Sequence, residues 1–155
     1  MSEGNTGKEY RVRNMQQADT EAAHNLAARI PQSAQWSPSD FAGAVKSEYS
    51  GWVASRGTEL IGFVVSRQVS GEVELLNLGV DSGSRRQGIA RRLLAAALGK
   101  AMRGGAQKAF LEVRVSNTAA IAFYHSAGFR FSGRRKDYYP NPTEDAVLMV
   151  MEPIR

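Results

Sequence analysis

Arg85-Arg86-Gln87-Gly88-Ile89-Ala90 places cations, a glycine and a small residue between an apolar strand-like run (Leu75-Leu76-Asn77-Leu78-Gly79-Val80) and an apolar helical run over 88–102. A helix start offers unpaired backbone N–H groups and about half a positive charge, which suits a pyrophosphate. Gly88 has no Cβ, so main chain there can approach phosphate oxygens closely, and Ala90 is small for the same reason. Arg85, Arg86 and Arg91 can add charge-assisted bonds at the rim. The turn lacks the Gly-Lys-Ser/Thr ending of a P-loop, and no Gly-x-Gly-x-x-Gly follows the strand, so neither a nucleoside-triphosphatase loop nor a dinucleotide site is indicated. Taken alone, the same residues also fit a plain basic turn before an ordinary helix.

Further along, Glu112 lies in an alternating run where Ala109, Leu111 and Val113 face one way and Phe110, Glu112 and Arg114 the other. A carboxylate in mid-strand is costly unless it is paired or opens on a cleft. An ion pair with Arg114 or another basic residue competes with a catalytic role. Tyr124 shares a helix face with Ile121, so an ordinary core tyrosine competes with an acid at that position. His24 and His125 are isolated, and with no cysteine there is no disulfide, no thiolate nucleophile and no metal-ligand spacing.

The elements that must hold these residues follow from punctuation and period. Tyr10-Arg11-Val12-Arg13 alternates as a first strand, and 18–28 is helical, with Asp19 as a candidate N-cap and Pro31 beyond its end. Ser37-Pro38 opens a second helix, expected to reach Lys46. Residues 51–55, 60–68 and 72–80 read as antiparallel strands joined by turn chemistry at 56–59 and 70–71. The 88–102 helix ends at Gly104-Gly105; a strand over 108–115 and a helix over 117–127, capped by Asn117, come next. Strands over 129–135 and 146–152 close the chain. The order β-α-α-β-β-β-α-β-α-β-β implies an α/β mixed sheet, antiparallel first and partly parallel later, with helices on both faces.

At 155 residues the chain suits one domain, able to bury about two-thirds of its unfolded surface. We expect a flexible polar leader over 1–9 and a single domain over 10–155. Hydrophobic content of 43% and charged content of 23% are ordinary for a globular protein. No apolar run approaches the ~20 residues of a membrane span, and the start MSEGNTGKEY has neither the apolar core nor the cleavage site of a secretory signal. A cytoplasmic protein without a membrane partner is expected. The formal charge of +5 suggests acidic ligands, yet apart from Arg85-Arg86 with Arg91-Arg92, and Arg134-Arg135-Lys136, the basic residues are dispersed. Direct nucleic-acid binding is therefore not expected. Oligomeric state is left open, a monomer being the simpler expectation.

In its strand–turn–helix setting, Arg85-x-x-Gly88-x-Ala90 resembles the acetyl-CoA motif of the GNAT N-acetyltransferase superfamily. The run from Asn117 through Ala120, Tyr124 and Gly128 to Phe129 is similar to the Asn-x-x-Ala-x-x-x-Tyr-x-x-x-Gly-Phe block that follows that motif. Within the superfamily, Asn77-Leu78-Gly79-Val80, 111–117, Arg134-Arg135-Lys136-Asp137-Tyr138-Tyr139-Pro140 and Glu144-Asp145-Ala146 are similar to the RimI subfamily, as is the segment around Trp36, Ser37 and Phe41. Members of that subfamily acetylate the N-terminal alanine of a small-subunit ribosomal protein. The departures are Ala90, where glycine is commoner, and a longer polar leader.

The resemblance implies about seven strands in a mixed sheet flanked by four helices, with a V-shaped splay between the central strands. It implies acetyl-CoA as co-substrate and no metal. The cofactor would be bound by main-chain groups of Leu78, Gly79 and Val80 and by Arg85, Arg86, Gln87, Gly88, Ile89, Ala90 and Asn117. Gly79 would ease a bulge in the splayed strand. Glu112 becomes the general base and Tyr124 the proton donor, while Trp36 and Tyr138-Tyr139-Pro140 are candidates to wall an acceptor groove. A protein α-amine asks little of its base: with a pKa near ~8, deprotonation at pH 7 costs ~1.4 kcal/mol, against ~4.6 for a lysine. A phenol near ~10 protonating a thiolate near ~8.5 is uphill by ~2 kcal/mol, so Tyr124 is expected to stabilise the thiolate by hydrogen bonding as much as by proton transfer. The alternatives are another protein N-terminus, a lysine or a small amine as acceptor, and, more distantly, a non-catalytic acyl-CoA-binding or ribosome-binding module.

Overall fold

The computed structural model describes residues 9–85 and 87–155. Of the expected leader only Glu9 is among them, and Arg86 also lies outside the described residues. The elements run β1 (Arg11–Asn14), α1 (Thr20–Ala28), α2 (Pro38–Gly43), β2 (Tyr49–Arg56), β3 (Glu59–Val69), β4 (Glu72–Val80), α3 (Ile89–Arg103), β5 (Lys108–Arg114), α4 (Thr118–Ser126), β6 (Arg130–Tyr139) and β7 (Glu144–Met151). The seven strands form one sheet in the order β1-β2-β3-β4-β5-β7-β6. Every neighbouring pair is antiparallel except β4 and β5.

Each sheet face carries its own core. On one face α3 buries Ile89, Leu93, Leu94, Ala97, Leu98 and Ala101 against Ile61, Val64, Leu75 and Leu111, joined by Tyr124 of α4 and by Phe129. Each fully buried large aliphatic there contributes roughly 1.5–3 kcal/mol. On the other face α1 and α2 bury Ala23, Leu26, Ala27 and Phe41 against Val53, Phe63 and Val65. Helices on both faces follow from β3 being apolar at consecutive positions, the mark of a strand covered on both sides.

Three local expectations change. The Asp19 carboxylate does not cap α1: it accepts from Gln16 N at 2.7 Å and pairs with Arg13 at 2.7 Å, closing a short 3-10 turn (Gln17–Asp19) before the helix. The second helix stops at Gly43 rather than Lys46, because its chain continues through two further turns, Lys46 N to Gly43 O and Tyr49 N to Lys46 O, into β2. Its start is as expected, with Ser37 Oγ accepting from Asp40 N at 3.2 Å. Strand β6 runs on to Tyr139, past an irregularity between Arg135 and Tyr139, instead of ending at Arg135.

Two features of β4 shape the centre of the sheet. Val65 faces Asn77 and Ser66 faces Leu75, so Leu76 is an extra residue in the strand. Before this bulge Val73 and Leu75 face α3; after it Leu78 and Val80 pack on that core, while Asn77 and Gly79 turn to the α1–α2 face. The bulge is thus at Leu76 and not at Gly79. Glycine is required at 79 for another reason, since a Cβ there would stand 2.8 Å from Phe63 Cε1 and 3.0 Å from Ile30 Cδ1. The second feature is that β4 and β5 pair only from Glu72 to Leu75 and from Lys108 to Leu111. Beyond those residues the two strands have no ladder between them, which is the central splay.

Candidate active site

The splay leaves residues 76–80 of β4 without a strand partner on the β5 side, so their main-chain groups facing β5 are free to pair with an extended ligand. Leu78, Gly79 and Val80 all lie in this stretch. At its end the chain makes a 3-10 turn (Ser82–Ser84) and enters α3 through Gly88, which is the N-cap at φ +76° and carries no side-chain cap. That left-handed conformation costs a non-glycine residue about 1–2 kcal/mol. Among the described residues, and apart from Gly88's own chain neighbours, no atom lies within 4 Å of where a Gly88 Cβ would stand. The first main-chain bond at this end runs from Arg92 N to Gly88 O, so the N–H groups of Ile89, Ala90 and Arg91 find no acceptor among the described residues. A buried Ile89 side chain anchors the turn from below.

The side chains around the turn divide its surroundings. Arg85 is exposed. Gln87 is held from the β1–β2 side, its Oε1 accepting from Arg56 Nη2 at 2.7 Å and its carbonyl from the Tyr10 hydroxyl at 3.5 Å. Arg91, expected at the anion rim, instead reaches α4, donating from Nη2 to Ser126 Oγ at 2.9 Å and lying over the Phe123 ring. Asn117 caps α4 as expected, with Oδ1 accepting from Ala120 N at 3.1 Å. Its Nδ2 donates to no described residue.

Glu112 and Tyr124 lie on opposite faces of the sheet. Tyr124 sits in the α3–α4 core, edge-on to Phe123 and Phe129, and burial pushes its phenol well above the ordinary tyrosine value. Its hydroxyl has no hydrogen-bond partner among the described residues. Glu112 points to the other face, where its Oε1 lies 3.1 Å from Arg135 Nε. The partner is therefore not Arg114. That guanidinium binds Glu144 at 2.9 Å and the carbonyls of Pro140 and Pro142 at 2.8 and 3.0 Å, tying the β6–β7 turn down beside β5.

This turn makes the surroundings of Glu112. The Tyr138 hydroxyl lies against the Glu112 carboxylate, whose acceptor oxygen and negative charge push the phenol above its usual value. Tyr139 packs edge-on to Tyr138, and burial, with the Glu112 charge second, pushes it up to about 12. Asp145 holds the strand below, accepting from Arg134 Nε at 2.6 Å and from Asp137 N at 2.9 Å. The basic cluster 134–136 is thus largely spent on fixing the hairpin. Glu74 was not singled out in the sequence. It lies one strand over, its carboxyl raised first by burial and also by the nearby Glu112 charge, with Arg67 at 3.5 Å opposing. Asn77 was likewise missed as a side chain: it donates from Nδ2 to Ala34 O at 3.2 Å, tying β4 to the α1–α2 connection, and its Oδ1 is buried without a partner among the described residues. The bulge that turns Asn77 to that face has no signature in residue type. Trp36 packs edge-on to Phe41, and His24 and His125 take no part in the site.

A turn with free N–H groups, leading from a strand that has lost its neighbour, is an arrangement for a long ligand with an anionic end. The model of the acetyltransferase (GNAT) family matches residues 10–129. The chain belongs to this family. The ribosomal protein bS18-alanine N-acetyltransferase of Escherichia coli is 32% identical over 142 residues, covering 90% of this chain and 95% of that protein. The N-alpha-acetyltransferase RimI of Mycobacterium tuberculosis is 38% identical over 119 residues, covering 74% and 73%. The crystal structure of the Escherichia coli S18-alanine enzyme superposes with a TM-score of 0.84 at 31% identity over 94% of both chains. Arabidopsis thaliana NAA60, solved with acetyl-CoA, has the same fold at a TM-score of 0.83 and 21% identity. This GNAT chain is an N-acetyltransferase, and its sheet is the family's open mixed sheet with a central splay. Among the described residues no helix is long and apolar enough to cross a membrane, and no group of three or more His, Cys, Asp or Glu is placed to hold a metal ion.

Proposed function

We propose that the chain transfers the acetyl group of acetyl-CoA to the N-terminal α-amine of a protein, namely the N-terminal alanine of a small-subunit ribosomal protein, in the cytoplasm. The observation that carries the transfer site is the parting of β4 and β5 between Glu112 on one face and Tyr124 on the other. A ligand entering the splay is reachable from both faces at once. The acceptor rests on similarity to relatives of that name and on the hairpin their resemblance singles out.

The residues present suit acetyl-CoA. The open space at Gly88 and the free N–H groups of Ile89 and Ala90 fit a pyrophosphate, the exposed Arg85 supplies a cation, and Gln87 is fixed in place at the turn. Residues 78–80 offer main chain for an extended arm, and the free Nδ2 of Asn117 can donate to it. When bound, acetyl-CoA supplies an activated acetyl thioester. Glu112 accepts the proton of the incoming amine, directly or through a water. For an α-amine this asks only ~1.4 kcal/mol at pH 7, within reach of one carboxylate. Arg135 pairs with that carboxylate from its exposed side, and Tyr138 and Tyr139 line it. Tyr124, kept protonated by burial, donates a hydrogen bond to the departing sulfur.

The test is acetylation of peptides that differ only in their first residue, with acetyl-CoA and mass-spectrometric readout. A free N-terminal alanine should be the preferred acceptor over other N-termini, a blocked N-terminus with an internal lysine, and small amines. Modification of lysine or small amines with alanine N-termini ignored would sink the acceptor assignment.

A further inference from the structure

On the far side of the α3 start from Asn117, a cleft of about 700 Å3 opens between the beginning of β1, the end of β2 and the first turn of α3. Three guanidiniums line it, those of Arg11, Arg56 and Arg92. Among the described residues none of the three has a carboxylate within ion-pair distance, while six other cations do. Glu9 is the one carboxylate of the lining, and it pairs with none of them.

Arg56 is the informative member. It is half-buried, its Nη2 donates to Gln87 Oε1 at 2.7 Å and its Nη1 to Ser84 Oγ at 3.4 Å, and its buried Nε has no acceptor among the described residues. A partly desolvated guanidinium held only by neutral groups is an expensive arrangement until an anion joins it. Arg92 is stacked on the Tyr10 ring at 5.0 Å, which fixes its charge at the cleft wall instead of leaving it to swing in solvent. Arg91, its neighbour in sequence, faces α4 on the opposite side. Guanidinium forks on several walls of one concave site match a phosphate monoester better than a carboxylate, because its three terminal oxygens can be shared among several forks where a carboxylate offers two.

We propose that this cleft is a phosphate-ester site flanking the cofactor turn and linked to it through the Arg56–Gln87 hydrogen bond. The proposal rests on the cofactor reading of that turn only for one of its two sources: the phosphate is either the ribose 3′-phosphate of coenzyme A or the 5′-phosphate chain of a separate nucleotide.

Calorimetric titration of the full chain and of the R11Q/R92Q variant with acetyl-CoA, acetyl-dephospho-CoA and ADP tests it. Both substituted side chains are exposed, and R11K/R92K, which keeps the charges, controls for packing. With the cofactor as source, the parent chain prefers acetyl-CoA over the dephospho form by about tenfold or more, and R11Q/R92Q loses the preference while R11K/R92K retains most of it. With a separate nucleotide as source, ADP binds the chain already saturated with acetyl-dephospho-CoA, and R11Q/R92Q weakens it by a similar factor. Identical behaviour of the parent and R11Q/R92Q toward all three probes overturns the proposal. Failure of every form of acetyl-CoA to bind the parent chain would instead count against the acetyl-transfer reading, with the ADP titration still deciding the cleft.

Discussion

As the proposed base, Glu112 stands between two demands: Arg135 pairs with it, and a base must be free to take a proton. The arrangement separates them by exposure, because the arginine is more than half exposed at 55% and the carboxylate only 16%. An exposed partner on a long stem contributes little to stability, on the order of 0–1 kcal/mol, and can swing aside for an acceptor. Glu112→Gln should lower kcat by on the order of 10²–10⁴ with acetyl-CoA affinity unchanged, measured by steady-state kinetics and direct titration. Arg135→Gln breaks the same ion pair but keeps the carboxylate, so it should retain most of kcat. Equal losses in the two variants would make the pair structural. The tyrosines set a second expectation. Tyr124 is raised by burial and Tyr139 is pushed up to about 12, so both stay protonated throughout the neutral range. The pH profile of kcat/KM should rise with the acceptor amine, near ~8 for a peptide N-terminus, with no falling limb below pH 9 from loss of a tyrosine proton. A falling limb that Tyr124→Phe abolishes would show that the phenol titrates lower than its burial allows.

At the scale of elements, the site depends on how the β6–β7 hairpin is held. Arg114 does this with three bonds, to Glu144 and to two carbonyls, and stacks on Tyr139 at 4.7 Å. The hydrogen bonds from Ser116 and Arg114 to Glu144 hold its carboxyl below the usual range. Arg114→Ala should cost ~1–3 kcal/mol in urea denaturation and raise the acceptor KM, because the Tyr138–Tyr139 wall is released, while leaving acetyl-CoA affinity alone. An unchanged KM would show that the hairpin does not touch the acceptor. The run 134–146 is a clamp in the same physical terms: Arg134 binds Asp145, Arg135 binds Glu112 of β5 and Glu144 binds Arg114 of β5, so a composition that reads as a surface has the geometry of a clamp.

For the whole molecule, the decisive feature is a sheet that is continuous at its edges and parted in its middle. Ladders on the far sides of β4 and β5, together with a core on each face, hold the two strands rigid where they do not pair. Bound acetyl-CoA should therefore slow amide exchange in 76–80 and at Ile89 and Ala90, and leave 72–75 unchanged, when followed by hydrogen–deuterium exchange. Uniform slowing along β4 would mean that the ligand does not enter the splay. Much of this was legible in the sequence. Alternation and turn residues marked seven strands and four helices, Asn117 and Ser37 marked their own caps, and Gly88 marked the start of α3, since each depends on residues a few positions apart. What lay beyond it depends on long-range pairing. The bulge at Leu76 exists only because β3 pairs out of step there, and Gly79 is glycine because Phe63 and Ile30 close on it. The choice of Arg135 over Arg114 as partner of Glu112 follows from the β6–β7 register, since β7 pairs with β5 and carries β6 beyond it. Residue types alone determined which groups could do the chemistry; the tertiary structure decided which of them face one another, because strand pairing and the two cores fix distances that spacing along the chain leaves free.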